Sequence, residues 1–311
     1  MVSADSELLE LVVGANDVGR RLDQFVMGKL TGYGRRATAR LFEERRVLID
    51  GLPGKKGLLL RAGQRVSVRV PEASEMQPQP ELPLELCLVR SDLVIVDKPA
   101  GMPSGAVRPG DRDTLAAALL GRFPEMRGVG FNEHEPGLVH RLDTFTSGLL
   151  LAARRQAAFS ALRDALDRGR LVKRYLAIVV DREVPQSATV HAALGPHHTN
   201  RRKVGVLEGD AAYYGRPATT NLTVLERRSG LALLEVRVAA AYRHQIRAHL
   251  AHKGWPIVGD ELYGSEPCAR LGPGRHALHA CYMRCTGSRV PDFEVESPLP
   301  KDMAALLEAG C

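Results

Sequence analysis

Thirteen residues from Pro71 to Pro83, PEASEMQPQPELP, contain four prolines and show no helical or strand-like spacing of apolar residues. Proline fixes φ and lacks a backbone donor, so such a run cannot lie inside a helix or a central strand. It reads as an extended, semi-stiff connection. A chain of 311 residues interrupted in this way folds as two modules. We place an N-terminal extension at 1–17, a small domain at 18–72, a linker at 73–83 and a large domain at 84–311.

Charge divides the chain in the same place. Residues 18–70 carry thirteen Lys or Arg against four Asp or Glu, a surplus of nine. The rest holds thirty basic and thirty-two acidic residues, so this segment supplies the whole net charge of +7. Such a concentration suits a polyanion, because neutralised phosphates release counterions. A solvated basic face is the alternative. Leu22, Phe25, Val26 and Leu30 predict a short amphipathic helix. A second helix opens on Arg35, Arg36 and includes Arg40. Val47-Leu48-Ile49 predicts a strand that turns at Asp50-Gly51, and residues 65–70 alternate as a half-exposed strand. Basic side chains in a helix's first turn oppose its dipole, a cost that bound phosphates would offset. Arg35, Arg36 and Arg40 are therefore candidate RNA-docking residues. With Arg21-Leu22-Asp23 near its start and G-x-x-V-x-V at 63–68, this small α/β domain resembles the RNA-binding domain first seen in ribosomal protein S-four.

Past residue 84 the strand candidates are 84–89, 93–97, 149–153, 172–180, 187–192, 219–226 and 231–238. The helix candidates are 113–121, 156–168, 243–253 and 301–309. Strands and helices do not alternate, so the expectation is α+β with a mixed, largely antiparallel sheet.

The five cysteines are odd in number and include no C-x-x-C pair. His276, His279, Cys281 and Cys285 lie close together but fit no standard zinc spacing. We expect reduced thiols and no metal site. No apolar run approaches the roughly 18 residues of a membrane span. The first residues, MVSADSELLELVVGAND, lack a signal-peptide pattern. No membrane association is expected, and the expected location is cytoplasmic.

The segment His140-Arg141-Leu142-Asp143-Thr144-Phe145-Thr146-Ser147-Gly148, followed by three leucines, places one carboxylate at a loop-to-strand junction. There a side chain can face a cleft. An isolated Asp in such a turn usually only shapes the turn. The whole string, H-R-L-D-x-x-T-S-G-L-L-L, closely resembles the signature of the RluA-type pseudouridine synthases. Further segments match that family in its order: Val96 to Gly101, Lys173 to Ala177, His244 to Leu250, Gly259 to Gly264 and His276 to Ala280. There are departures. Met102-Pro103-Ser104-Gly105 stands where a Val-His-Pro-like segment is usual. Thr144 and Phe145 fill positions that are often charged, and Ala241-Tyr242-Arg243 replaces the usual Gly-Arg-x before His-Gln.

The resemblance implies the pseudouridine synthase fold, a bent sheet with a central cleft. It also implies roles. Asp143 is the nucleophile, which must stay ionised and so needs a cation beside it. Arg247 is that cation, able to grip a carboxylate with its planar fork. Tyr175 is the aromatic that stacks on the target uracil. Arg141 fills the stack vacated by the flipped nucleotide, with His140 and Thr146 as further substrate contacts. Uridine to pseudouridine is a redox-neutral isomerisation, so no cofactor is expected. The expected partner is RNA, and ribosomal RNA of the large subunit in particular, free or in a pre-ribosomal particle. Shorter family members that act on transfer RNA often lack the basic N-terminal domain. We expect a monomer. Two rivals stand beside this reading: a non-catalytic ribosome assembly factor with the same fold, and a carboxylate glycosidase, which usually needs a second carboxylate or a metal.

Overall fold

The computed structural model describes residues 6–30, 35–71, 76–106, 111–238, 241–287 and 289–310; the side chains of residues 6, 7, 35–37 and 71 fall outside the description. The chain divides into two compact units, Met1–Glu75 and Met76–Cys311. The division falls within the proline-rich run. Its second half belongs to the large unit: Met76 is buried in that core, and Gln79 accepts from the Asp113 amide at 2.7 Å.

The small unit is a four-stranded antiparallel sheet carrying two helices. Its elements are β1 (Ser6–Val12), α1 (Leu22–Lys29), α2 (Arg35–Glu43), β2 (Val47–Ile49), β3 (Leu52–Pro53) and β4 (Arg65–Pro71), with sheet order β1-β4-β2-β3. Leu22, Phe25 and Val26 of α1 are buried against Val66 and Val68 of β4, as the apolar spacing requires. Asp50 and Gly51 both have positive φ, 49° and 82°. That is the mirror-image turn whose twist suits a two-residue hairpin. Within the stretch set apart above as an extension, Ser6–Val12 form a strand. β1 pairs along its whole length with β4, from Ser6↔Pro71 to Val12↔Arg65. Its sequence, Ser-Glu-Leu-Leu-Glu-Leu-Val, does not alternate polar with apolar residues, and only the pairing partner some sixty residues away reveals the strand.

The large unit is built on one ten-stranded sheet. Its elements are β5 (Glu85–Val89), β6 (Leu93–Lys98), α3 (Leu115–Arg122), β7 (Ser147–Ala153), α4 (Gln156–Asp167), β8 (Leu171–Val180), β9 (Ser187–Pro196), β10 (Val204–Leu207), β11 (Arg216–Arg228), β12 (Leu231–Val238), α5 (Gln245–His252), β13 (Leu278–Cys285), β14 (Phe293–Glu296) and α6 (Lys301–Ala309). The order is β10-β9-β11-β12-β8-β13-β7-β6-β5, with β14 on β13. The pairs are antiparallel except β13 with β7. Register shifts at Val224/Glu226 and Ala280/Tyr282 mark bulges, which bend strands.

Both faces of the sheet centre are covered. Leu149, Leu151 and Ala153 of β7 pack with Phe159 and Leu162 of α4, whereas Leu150 and Ala152 pack with α3. Alternate residues of a strand face opposite sides, so a strand buried on both is continuously apolar. Thr114 caps α3 by accepting from the Ala117 amide at 3.1 Å.

The mixed, antiparallel expectation agrees with this sheet. β10, β13 and β14 are absent from the strands read off the sequence. β13, LHACYMRC, lies at the sheet's centre, yet it interrupts its apolar residues with His279 and Arg284. Cys87 and Cys281 are free thiols, but Cys268 is disulfide-bonded, which corrects the expectation of reduced thiols throughout. Linear spacing does not reveal which sulfurs the fold brings within bonding reach. Among the described residues no helix is long and apolar enough to cross a membrane, and no group of three His, Cys, Asp or Glu is placed to hold a metal ion.

Candidate active site

Asp143 lies in the loop that enters β7, at the seam where β7 and β13 run parallel. Gly148 makes that seam possible. It has φ +111°, and a Cβ there would meet the Ala280 carbonyl oxygen at 2.3 Å. Only glycine satisfies both conditions, which explains the last residue of the Thr-Ser-Gly turn.

The loop is pinned on both sides of the aspartate. Ser104 Oγ accepts from the Leu142 amide at 3.1 Å and donates to its carbonyl at 2.7 Å. The Thr144 carbonyl accepts from the Gly101 amide at 2.9 Å and from Lys98 Nζ at 3.1 Å. The Phe145 carbonyl accepts from Arg275 Nη1 at 2.8 Å. Thr146 N donates to the Asp143 carbonyl at 3.0 Å and closes the turn. Lys98 Nζ also donates to the Pro99 and Met102 carbonyls, each at 2.8 Å. Burial, and secondarily the charge of Arg275, pull its pKa down to about 7 against the charges of Asp143 and Asp97. Three carbonyls match the three N–H groups of an ammonium, so they hold the charged form against that pull.

Arg247 approaches from α5. Gln245 anchors this helix to β11 by donating to the Thr219 carbonyl at 2.9 Å and to Thr220 Oγ1 at 3.1 Å. Arg247 Nη1 donates to Asp143 Oδ2 at 2.8 Å, while Nε and Nη2 grip Asp260 at 2.7 and 2.8 Å. The guanidinium is 8% exposed, Asp260 1% and Asp143 24%. Burial disfavours the arginine's charge, but Asp260 and then Asp143 outweigh it and raise its pKa above the ordinary value. Asp260 is thus a permanent buried anchor for the cation, and Asp143 is the carboxylate left partly open to solvent.

His244 caps α5 in the left-handed region, at φ +55°. Such backbone in a non-glycine residue stores about 1–3 kcal/mol of strain and recurs at functional sites. It aims Nε2 at Asp143 Oδ1, 3.7 Å away, and Nδ1 at Tyr263 Oη, 3.0 Å away. The His244–Tyr263 bond takes its direction from the imidazole tautomer, and the Tyr263 hydroxyl donates to the Val204 carbonyl at 3.2 Å. Burial, opposed by the Asp143 charge, brings the His244 pKa down to about 4, so the ring is neutral at physiological pH. Tyr263 Oη also accepts from the Val204 amide at 2.8 Å, and its ring lies 5.1 Å from the Arg247 guanidinium carbon.

Tyr175 is buried in β8, paired with Val236 of β12 and Ala280 of β13. Burial, then the negative charge of Asp143, then Cys281 push its hydroxyl pKa upward. It stays protonated across the physiological range. The structure thus gathers Asp143, Arg247 and the charge-coupled Tyr175.

The three residues named as substrate contacts fare differently. Arg141 is exposed and donates to Glu135 at 2.8 Å, on the surface beside the loop. His140 turns away: its Nε2 accepts from the Leu151 amide at 3.2 Å, and burial, then Lys173, hold it neutral by pulling its pKa well below 6.5. Thr146 is buried, with Oγ1 2.9 Å from His276 Nε2. In this structure the recorded side-chain hydrogen bonds of His140 and Thr146 brace the loop. Both are polar groups whose partners lie behind the loop, a fact the linear motif hides. In the small unit, the side chains of Arg35 and Arg36 lie outside the described residues. Arg40 is half exposed and donates to Glu44 at 2.9 Å, so its charge is already paired.

Asp260, His244, Tyr263, Ser104 and Arg275 were not assigned roles from the sequence. The first three stood within matched segments. Ser104 stood in a departure from the family pattern.

The model of the RNA pseudouridylate synthase family matches residues 92–252. An RNA pseudouridine synthase of Chloroflexus aurantiacus is 35% identical, over 97% of this chain and 95% of its own. The ribosomal large subunit pseudouridine synthase D of Nitrosomonas europaea is 33% identical, over 97% and 87%. The solved structure of human RNA pseudouridylate synthase domain containing 1 superposes with a TM-score of 0.57 at 27% identity, covering 72% of this chain and 86% of that one. With family match, relatives and fold in agreement, this chain belongs to the RluA-type RNA pseudouridine synthases, isomerases that convert uridine to pseudouridine.

Proposed function

We propose that the chain isomerises uridine in large-subunit ribosomal RNA, with Asp143 as nucleophile on an extruded nucleotide. The observation that carries this reading is the division of labour at Arg247. Asp260 holds two of its donor nitrogens, and Nη1 alone meets the partly exposed Asp143. The reaction breaks the bond from ribose to N1 of uracil and remakes it to C5. An ionised carboxylate serves as nucleophile on the anomeric carbon or on C6 of the base. The base detaches, turns and reattaches through C5, which then gives up its proton while N1 takes one. Arg247 keeps Asp143 ionised and fixes its direction of attack. Tyr175, protonated, offers a ring to the uracil and an O–H to a developing charge.

Uridine in a stack is out of reach, so the nucleotide must flip, at least cost from a loop or bulge. In this reading the exposed Arg141 gives up its Glu135 partner to occupy the vacated stack. Asp260 does not supply the second carboxylate of a glycosidase, since both of its oxygens are held by Arg247 inside the protein. The ribosomal target is supported by the name of the Nitrosomonas europaea relative and by the basic small unit. Pseudouridine mapping in a strain lacking the gene tests it. Loss of at least one large-subunit site is expected, and an unchanged large-subunit map overturns the assignment.

A further inference from the structure

Tyr213 and Tyr214 are 87% and 85% exposed, in a short 3-10 turn at Gly209–Tyr214 that links β10 to β11. Their ring centroids lie 5.3 Å apart at an interplanar angle of 89°. Among the described residues, their ring contacts are only with each other. Exposed Phe131 differs, since its ring packs 4.8 Å from buried Phe159. Two adjacent aromatic side chains left in water form an apolar surface that calls for a partner.

At the other end of β10 the β9–β10 turn presents Arg201, Arg202 and Lys203. This turn is tied down internally: the Asn200 side chain accepts from the Arg202 amide at 2.9 Å, and its carbonyl accepts from the Lys203 amide at 3.0 Å. It is also tied to the catalytic rim. Arg243, next to His244, donates to the Arg202 carbonyl at 2.6 Å. Lys203 Nζ lies 5.8 Å from the ring of Tyr263, which bonds to His244. The cations thus adjoin the nucleophile's neighbours, and the tyrosines lie one four-residue strand away, roughly 13 Å at the usual rise.

We propose that this edge binds a single-stranded RNA flank of the target uridine. Phosphates meet Arg201, Arg202 and Lys203, and an unpaired base stacks on the Tyr213–Tyr214 pair. The inference rests on the RNA-modifying reading above and names where the substrate's flank lies. The charges argue for this polarity. Glu208, which is paired with His252 at 3.3 Å, and exposed Asp210 flank the tyrosines and repel phosphate. A base, uncharged and with a π-face, is what that end accepts.

The test uses the full chain and a fluorescein-labelled oligouridine of about twelve nucleotides, within the usual site size of single-strand binders. Tyr213→Ala/Tyr214→Ala is expected to weaken binding roughly tenfold, the order of one lost base stack, with an unchanged salt slope. Arg201→Ala/Arg202→Ala is expected to reduce the salt slope by about one to two. Photocrosslinking of the same oligonucleotide carrying 4-thiouridine reads the location independently of the basic small unit. Crosslinks in the peptide holding Tyr213 and Tyr214 are expected. Wild-type affinity in both variants, or crosslinks confined to other peptides, overturns the proposal. Neither readout depends on which RNA is modified, so a failed ribosomal map and a failed edge are told apart.

Discussion

Arg247 meets Asp143 through one nitrogen, Nη1 to Oδ2 at 2.8 Å, and holds Asp260 with Nε and Nη2. A lone arginine reaching for a mobile carboxylate loses side-chain freedom on each encounter. One already gripped by a second, buried carboxylate has lost that freedom beforehand. The planar fork makes this possible, because its donors point in fixed directions.

Removing the anchor should therefore damage both stability and chemistry. Asp260→Ala leaves a buried cation with one partner. Breaking a buried pair costs about 3–5 kcal/mol, measurable by urea unfolding. In steady-state assays on RNA, kcat should fall by about two orders of magnitude, the order found when a group is misplaced, while KM changes little. A rise in KM with kcat unchanged would indicate that Asp260 serves substrate binding instead.

Gly148→Ala tests the parallel seam. The added Cβ meets the Ala280 carbonyl at 2.3 Å, and alanine disfavours φ +111°. A loss larger than the ~1 kcal/mol that such a change gains at an unstrained position is expected. Wild-type stability in chemical denaturation would show that the strands do not approach in this way.

Acid should unfold the large unit through its histidines. Burial first, in each case, lowers the pKa of His244, His249 and His279 to about 4 and of His140 and His276 well below 6.5. The unfolded chain binds protons on these rings near pH 6.5 and the folded chain does not. Stability is then fully present above pH 6.5 and falls as pH drops toward 4, by up to about 1.4 kcal/mol per pH unit for each ring. Replacing His279 with a neutral residue that packs should flatten this slope in a pH series of urea melts. An unaltered slope would place His279 outside the effect.

The residues that we propose carry the chemistry were legible because their segments are contiguous. His140 to Leu151 and His244 to Leu250 each hold a whole turn or helix within one short string. What stayed hidden is what the fold assembles from a distance. Asp260 acts through an arginine thirteen positions away, and Ser104 clasps Leu142 from 38 positions away. β1 and β13 were missed for the same reason. β1 exists because β4 pairs with it, and β13 stays apolar enough to be buried only because Ser147 and Ser297 take up both nitrogens of His279. His140 and Thr146 flank Asp143 in the sequence, and flanking says nothing about the direction in which a side chain points: both bond to groups behind the loop.

The central claim is tested most directly by tritium release from ribosomal RNA labelled at uracil C5, comparing wild type with Asp143→Asn. The variant keeps the shape and the hydrogen-bonding reach of the side chain but not the nucleophilic charge. Release by the wild type and loss of at least a thousandfold in the variant is expected, of the order seen when an essential catalytic group is removed. Release by Asp143→Asn at the wild-type rate would contradict the account.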